Sequence, residues 1–98
     1  MKKVPLSNNS FVQQIKELVS SDVDGETILM SIENGKYYGM DKVGSHIWEH
    51  LKSPIMVSDL VDLLLIDFKT ERKTCEADVL EFLNELRKEN VILVENQS

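Results

Sequence analysis

Asn34-Gly35, set between the runs 27–33 (Thr-Ile-Leu-Met-Ser-Ile-Glu) and 36–40 (Lys-Tyr-Tyr-Gly-Met), constrains this chain more than any other feature. An Asn-Gly pair between two apolar-aromatic runs is the strongest short-range hairpin signal, because both residues accept positive φ. The pattern predicts a strand over 27–33 and a returning strand over 36–40. Period-two spacing puts Ile28, Met30 and Ile32 on one face, expected to be buried. Just upstream, Asp22-Val23-Asp24-Gly25 marks a further turn.

Asp41 follows the returning strand and can accept the free backbone N–H groups of a helix's first turn. Val43, Ile47 and Leu51 then recur every four residues with Trp48 beside them, which predicts an amphipathic helix over 42–52. Ser53-Pro54 ends it, since the residue before proline avoids the α region. Ser58 is the expected cap of a second helix lined by Leu60, Val61, Leu63, Leu64 and Phe68, whose wide apolar face makes it central. After a charged turn over 69–73, Thr74 is expected to cap a third helix with the stripe Val79, Phe82, Leu83 and Leu86. Asn90 suits the left-handed position that closes a helix. Val91-Ile92-Leu93-Val94 is a short extended segment.

Residues 11–19 satisfy two patterns. Phe11, Ile15 and Leu18 suit a helix, which periodicity slightly prefers, whereas Phe11, Gln13 and Ile15 with the β-branched Val12 and Val19 suit an edge strand. Residues 1–10 mix Pro, Ser and Asn and read as a flexible arm, and 96–98 as a tail. The order of hairpin, three helices and extended tail predicts an α+β domain of winged-helix type.

The chain has 98 residues, 42% of them hydrophobic, enough for one domain with one modest core. Its net charge of −6 opposes binding to phosphate backbones and anionic lipid surfaces. The longest apolar runs, 63–66 and 91–94, fall far short of the roughly 20 residues that span a bilayer. No apolar signal-peptide core follows Met1-Lys2-Lys3, so a cytoplasmic protein is expected. The single cysteine, Cys75, rules out an internal disulfide and a CxxC zinc site, and reads as a small buried residue.

A DNA-reading winged helix needs cations on its third helix. Between 75 and 89 two bases, Arg87 and Lys88, face five acids, Glu76, Asp78, Glu81, Glu85 and Glu89, so nucleic acid is not an expected partner. His46 and His50 sit four apart, the spacing a metal site exploits, but no third ligand is evident beside them. They read as a solvated flank, and no metal or cofactor is expected. Cys75 has no histidine near it in sequence, and phosphate-cradling glycines, paired carboxylates and a dinucleotide fingerprint are missing. The chain does not read as an enzyme.

Binding remains. So short a sheet leaves a strand edge unpaired, and an extended peptide can add itself to such an edge, taking affinity from main-chain hydrogen bonds. The strand 36–40 contains no proline, so every N–H is expected to be available, and Gly39 removes a side chain where a second backbone approaches. Tyr37 and Tyr38 point to opposite faces, one toward the core and one toward a groove, or both simply pack the hairpin.

The run Gly25 to Leu51, with Tyr37-Tyr38, Gly44 and Ile47-Trp48, followed by "VSDLVDLLLIDF" and by "CEADVLEFLNELRKENVILV" with Asp78-Val79, Phe82-Leu83 and Leu86, resembles PqqD-like proteins. These are the peptide-recognition elements of ribosomally made, modified peptides. The resemblance covers roughly residues 20–95. It implies a three-stranded antiparallel sheet followed by three helices, which makes 11–20 a strand. It further implies that the leader of a precursor peptide binds as an added strand along the third strand, in a groove walled by the third helix. The implied peptide-binding residues are Lys36, Tyr37, Tyr38, Gly39, Met40, Val79, Phe82, Leu83 and Leu86. A discrete domain of this kind looks most like the leader-binding partner of lasso-peptide clusters, which serves a separate cysteine protease. Radical-SAM and pyrroloquinoline quinone pathways use similar domains. A winged-helix DNA-binding regulator and a structural subunit without peptide ligand are the rival readings. One departure is Asp41, where the family often has Asn.

Overall fold

The computed structural model describes residues 5–16, 18–33 and 35–96. The elements run β1 (Ser10–Gln14), β2 (Leu18–Val23), β3 (Glu26–Ser31), β4 (Lys36–Gly39), α1 (Lys42–His50), β5 (Ile55–Met56), α2 (Val57–Asp67), α3 (Arg72–Lys88) and β6 (Ile92–Asn96). They build two three-stranded sheets, β2-β3-β4 and β5-β1-β6, around three helices. Every strand pair is antiparallel. This is the α+β class expected, with a second sheet that the sequence did not disclose.

Residues 11–14 and 18–20 are extended, as the resemblance implied and against the slight helical periodicity of the stretch. It splits into two strands, one in each sheet. β1 sits between β5 and β6, pairing Val12 with Ile55 and with Val94. Gln14 ties this sheet to α1 through its backbone N–H to the Leu51 carbonyl (2.8 Å) and its side-chain amide to the Trp48 carbonyl (2.8 Å). Residues 5–10 of the expected arm make contacts of their own: the Ser58 N–H donates to the Asn8 carbonyl (3.0 Å) and the Asn8 amide to Glu76 (2.8 Å). Residues 1–4, Glu17, Asn34, Gln97 and Ser98 lie outside the described residues.

β2 and β3 turn tightly at Asp24 (φ 54°) and Gly25 (φ 82°), both left-handed as a two-residue hairpin turn demands. The β3–β4 hairpin differs from the expectation at Asn34-Gly35. Ser31 pairs with Lys36, so the loop holds residues 32–35, and the Gly35 N–H closes it onto the Ser31 carbonyl at 2.8 Å. Gly35 does take positive φ, at 65°.

The buried face of β3 is opposite to the one expected. Leu29 (0% exposed) and Ser31 point inward, while Ile28 is exposed and Ile32 is 62% exposed. The chain's exit into α1 decides this. Met40, just before the Asp41 cap, is buried against the core, and the register puts Tyr38 and Leu29 on Met40's side and Tyr37, Met30 and Ile28 on the other.

Asp41 caps α1 as expected, its Oδ1 accepting from the Gly44 N–H at 2.8 Å. The other two expected caps are displaced. α2 begins after Met56 and α3 after Glu71, neither with a side-chain cap, because the β5 strand runs straight into α2 and Arg72 anchors the start of α3 to Asp62 of α2. Asn90 (φ 59°) closes α3 as expected. Leu29, Leu51, Leu60 and Leu83 are all fully buried, each contributing about 1.5–3 kcal/mol of transfer free energy.

Candidate functional site

β4 is an edge strand, paired only with β3. Which of its backbone groups are free follows from one bond, the Met40 N–H donating to the Thr27 carbonyl at 2.9 Å. In an antiparallel ladder, hydrogen-bonded pairs alternate with non-bonded ones. Tyr38 opposite Leu29 and Lys36 opposite Ser31 are therefore also turned toward β3, whereas Tyr37 and Gly39 turn their N–H and C=O groups to the open edge. The expectation that every N–H of 36–40 is free is corrected: two of the five face outward.

Ser45 of α1 fixes the end of this edge. Its hydroxyl accepts from the Thr27 N–H (2.7 Å) and donates to the Met40 carbonyl (3.2 Å), standing where the last rung of the ladder would close directly. The two tyrosines do face opposite ways. Tyr37 is 72% exposed, and Tyr38 is half-buried with a hydroxyl that has no partner among the described residues. Lys36 reaches the C-terminal end of α3 through Glu89 (3.8 Å).

Beside the edge lies a cleft of about 280 Å³ between the end of β4, the first turns of α1 and the N-terminal half of α3, with Gly39, Asp41, Val43, Gly44, Asp78 and Phe82 among its walls. Gly44 allows a close approach there. A Cβ on it would stand 3.1 Å from Phe82 Cζ and 3.3 Å from Asp41 Oδ1, so a larger residue requires the Phe82 ring to give by a few tenths of an ångström. An adjoining apolar cavity of about 170 Å³ is lined by Ile47, Leu64, Phe68, Cys75 and Val79. Val43, Ile47 and Asp78 border both.

Of the four residues named on α3, only Phe82 stands half-exposed at the cleft. Val79 reaches the adjoining cavity from a buried position, and Leu83 and Leu86 are buried in the core, supporting the wall from behind. Met40 is buried too, but it lines the cleft beside Gly39. Sequence reasoning missed Asp41, Val43, Gly44 and Asp78 as site residues. The signal for Gly44 was a glycine inside the predicted helix, three residues after its Asp41 cap, where a residue without a side chain marks a close approach. Burial pushes the Cys75 thiol above its ordinary range, Asp78 and Glu76 adding to the shift and Arg72 opposing it. The cleft and the cavity beside it are lined mainly by apolar side chains, with the carboxylates of Asp41 and Asp78 among them.

Solved structures share this architecture. The chain is 29% identical to TbiB1, whose structure is described as a complex with the TbiA(beta) leader peptide, at a TM-score of 0.77 over 88% of this chain and 98% of that one. A lasso peptide synthetase B1 complexed with the leader peptide has the same fold, with a TM-score of 0.74 at 18% identity over 84% of this chain and 96% of that one. No curated protein matches the chain. The family model described as coenzyme PQQ synthesis protein D (PqqD) matches residues 26–92. That span runs from the first residue of β3 to the first of β6, taking in the open edge, the helices and the cleft, and the chain belongs to the PqqD family.

Proposed function

We propose that this protein is a non-catalytic carrier that captures the leader segment of a ribosomally synthesised precursor peptide by strand addition to β4. It then presents the leader to a separate maturation enzyme, for which a cysteine protease of a lasso-peptide system is the best fit. The observation that carries this reading is the open edge at Tyr37 and Gly39 beside the Phe82 cleft. The likeness to two leader-peptide complexes supports it. Such a carrier works in the cytoplasm, where precursor peptides are made. Among the described residues no helix is long and apolar enough to cross a membrane. The family description favours one second reading, the same carrier role in pyrroloquinoline quinone synthesis.

Magnitudes say where the affinity comes from. Two outward residues offer four backbone bonds, each worth about 0.5–1.5 kcal/mol net. Together that is about 2–6 kcal/mol, less than the roughly 8 kcal/mol of a micromolar complex. An apolar anchor in the cleft against Phe82 and Val43 must supply the rest. Asp41 and Asp78 on its walls favour a leader carrying positive charge nearby.

The test is a titration of a labelled synthetic leader, taken from a short open reading frame beside the gene, into wild type and Gly39→Pro. The Gly39 N–H faces away from β3, so proline deletes an edge donor and leaves the β3–β4 ladder intact. Strand addition predicts binding by wild type that weakens at least tenfold in the variant, with circular dichroism unchanged and only mild dependence on salt. A variant that binds as well as wild type overturns strand addition at this edge. Steep weakening with salt instead returns weight to a nucleic-acid-like electrostatic mode.

A further inference from the structure

We propose that His46, His50 and Asp67 form a binding site for a divalent transition-metal ion, zinc by the chemistry of the donors, where the C-terminal ends of α1 and α2 meet. The histidines come from one face of α1, and the ligand that the sequence did not reveal comes from the last residue of α2. One ligand atom from each residue lies within 4.8 Å of the other two. His46 Nε2 is already 2.6 Å from Asp67 Oδ2.

The geometry needs little adjustment. Bonds of 2.0–2.1 Å at a tetrahedral zinc hold ligand atoms about 3.3 Å apart, so the 2.6 Å contact opens by roughly 0.7 Å and no separation, all being within 4.8 Å, closes by more than about 1.5 Å. All three side chains are half-buried or exposed, so rotamer shifts suffice. The imidazoles meet edge to face, with ring centroids 5.1 Å apart, and the Phe68 ring stands edge-on to His46 at 5.4 Å, restricting its rotation. Two imidazoles and one carboxylate, with a fourth position open to solvent, suit zinc and its borderline neighbours rather than magnesium or calcium, which take oxygen ligands.

A second, independent observation is electrostatic. Asp67 puts a carboxylate on the final residue of α2, where the helix dipole is negative, and no basic residue occupies that last turn. The α1 helix ends close by at His50. A cation there meets the Asp67 carboxylate at the C-terminus of α2 together with both imidazoles of α1. Glu49, between the histidines in sequence, is occupied by Lys52 at 2.6 Å. A bound ion staples the end of α2 to α1 and holds Phe68, which lines the apolar cavity.

The experiment is calorimetric titration of zinc chloride into the tag-free chain, with magnesium chloride as control and cobalt absorption as a second readout. The expected result is one zinc per chain and a raised melting temperature. His50→Ala and Asp67→Asn, each with unchanged circular dichroism, should weaken zinc binding at least tenfold, while Glu49→Gln and Cys75→Ser leave it as it was. The proposal is overturned if wild type takes up no zinc at millimolar concentration or if both ligand variants titrate like wild type. Loss of binding in Cys75→Ser overturns it too, by moving the ion to the thiol.

Discussion

Cys75 illustrates how a single side chain carries its surroundings into a measurable property. The buried thiol sits near Asp78 and Glu76, and all three disfavour the thiolate, with Arg72 as the opposing influence. Its pKa is therefore raised in the folded chain relative to the unfolded one, so the thiol ionises less readily there. The neutral thiol contributes stability that is fully present below the ordinary thiol range and is lost as pH rises through the raised folded value. The urea midpoint of wild type should accordingly exceed that of Cys75→Ala by less at pH 10 than at pH 7. A difference that holds constant across that range would show that the thiol ionises equally in both states. Slow alkylation at neutral pH follows from the same cause.

At the scale of elements, Ser45 joins α1 to the end of the β3–β4 hairpin with one hydroxyl that both accepts and donates. Ser45→Ala leaves the Thr27 N–H and the Met40 carbonyl without that partner, and an unsatisfied buried group costs about 1–3 kcal/mol. Chemical denaturation should show a loss of that size, and the variant should also weaken leader binding, because the Gly39 edge loses its anchor. Nothing in the sequence announced this role, since a serine in a helix interior is ordinary and its partners lie 18 and 5 residues away. What was legible were features whose cause is local: the β3–β4 hairpin though not its loop length, the turn at Asp24-Gly25, the Asp41 cap, the left-handed Asn90 and the apolar stripes of the three helices. The inward face of β3 was not legible, because Ile28, Met30 and Ile32 are more apolar than Thr27, Leu29 and Ser31, and only the burial of Met40 settles the matter. Of the site, the β4 edge and Phe82 were readable from the run itself and from the resemblance. Gly44, Asp78 and the meeting of Asp67 with His46 depend on how the helices pack.

For the molecule as a whole, the division of labour between the two sheets matters most. The β5-β1-β6 sheet is tied to α1 through Gln14, while the β2-β3-β4 sheet buries Leu29 on one face and exposes Val19, Val23, Ile28 and Tyr37 on the other. The first sheet serves the fold, and the second both packs on the core and offers its β4 edge. That edge alternates strictly: one amide turned inward, the next outward. In the free protein the Tyr37 and Gly39 amides should trade hydrogen for deuterium quickly while those of Tyr38 and Met40 trade slowly, and an added leader strand should slow the fast pair tenfold or more with little change in the slow one. The strand thus carries its own isotopic signature of occupancy, readable amide by amide without any label on the peptide.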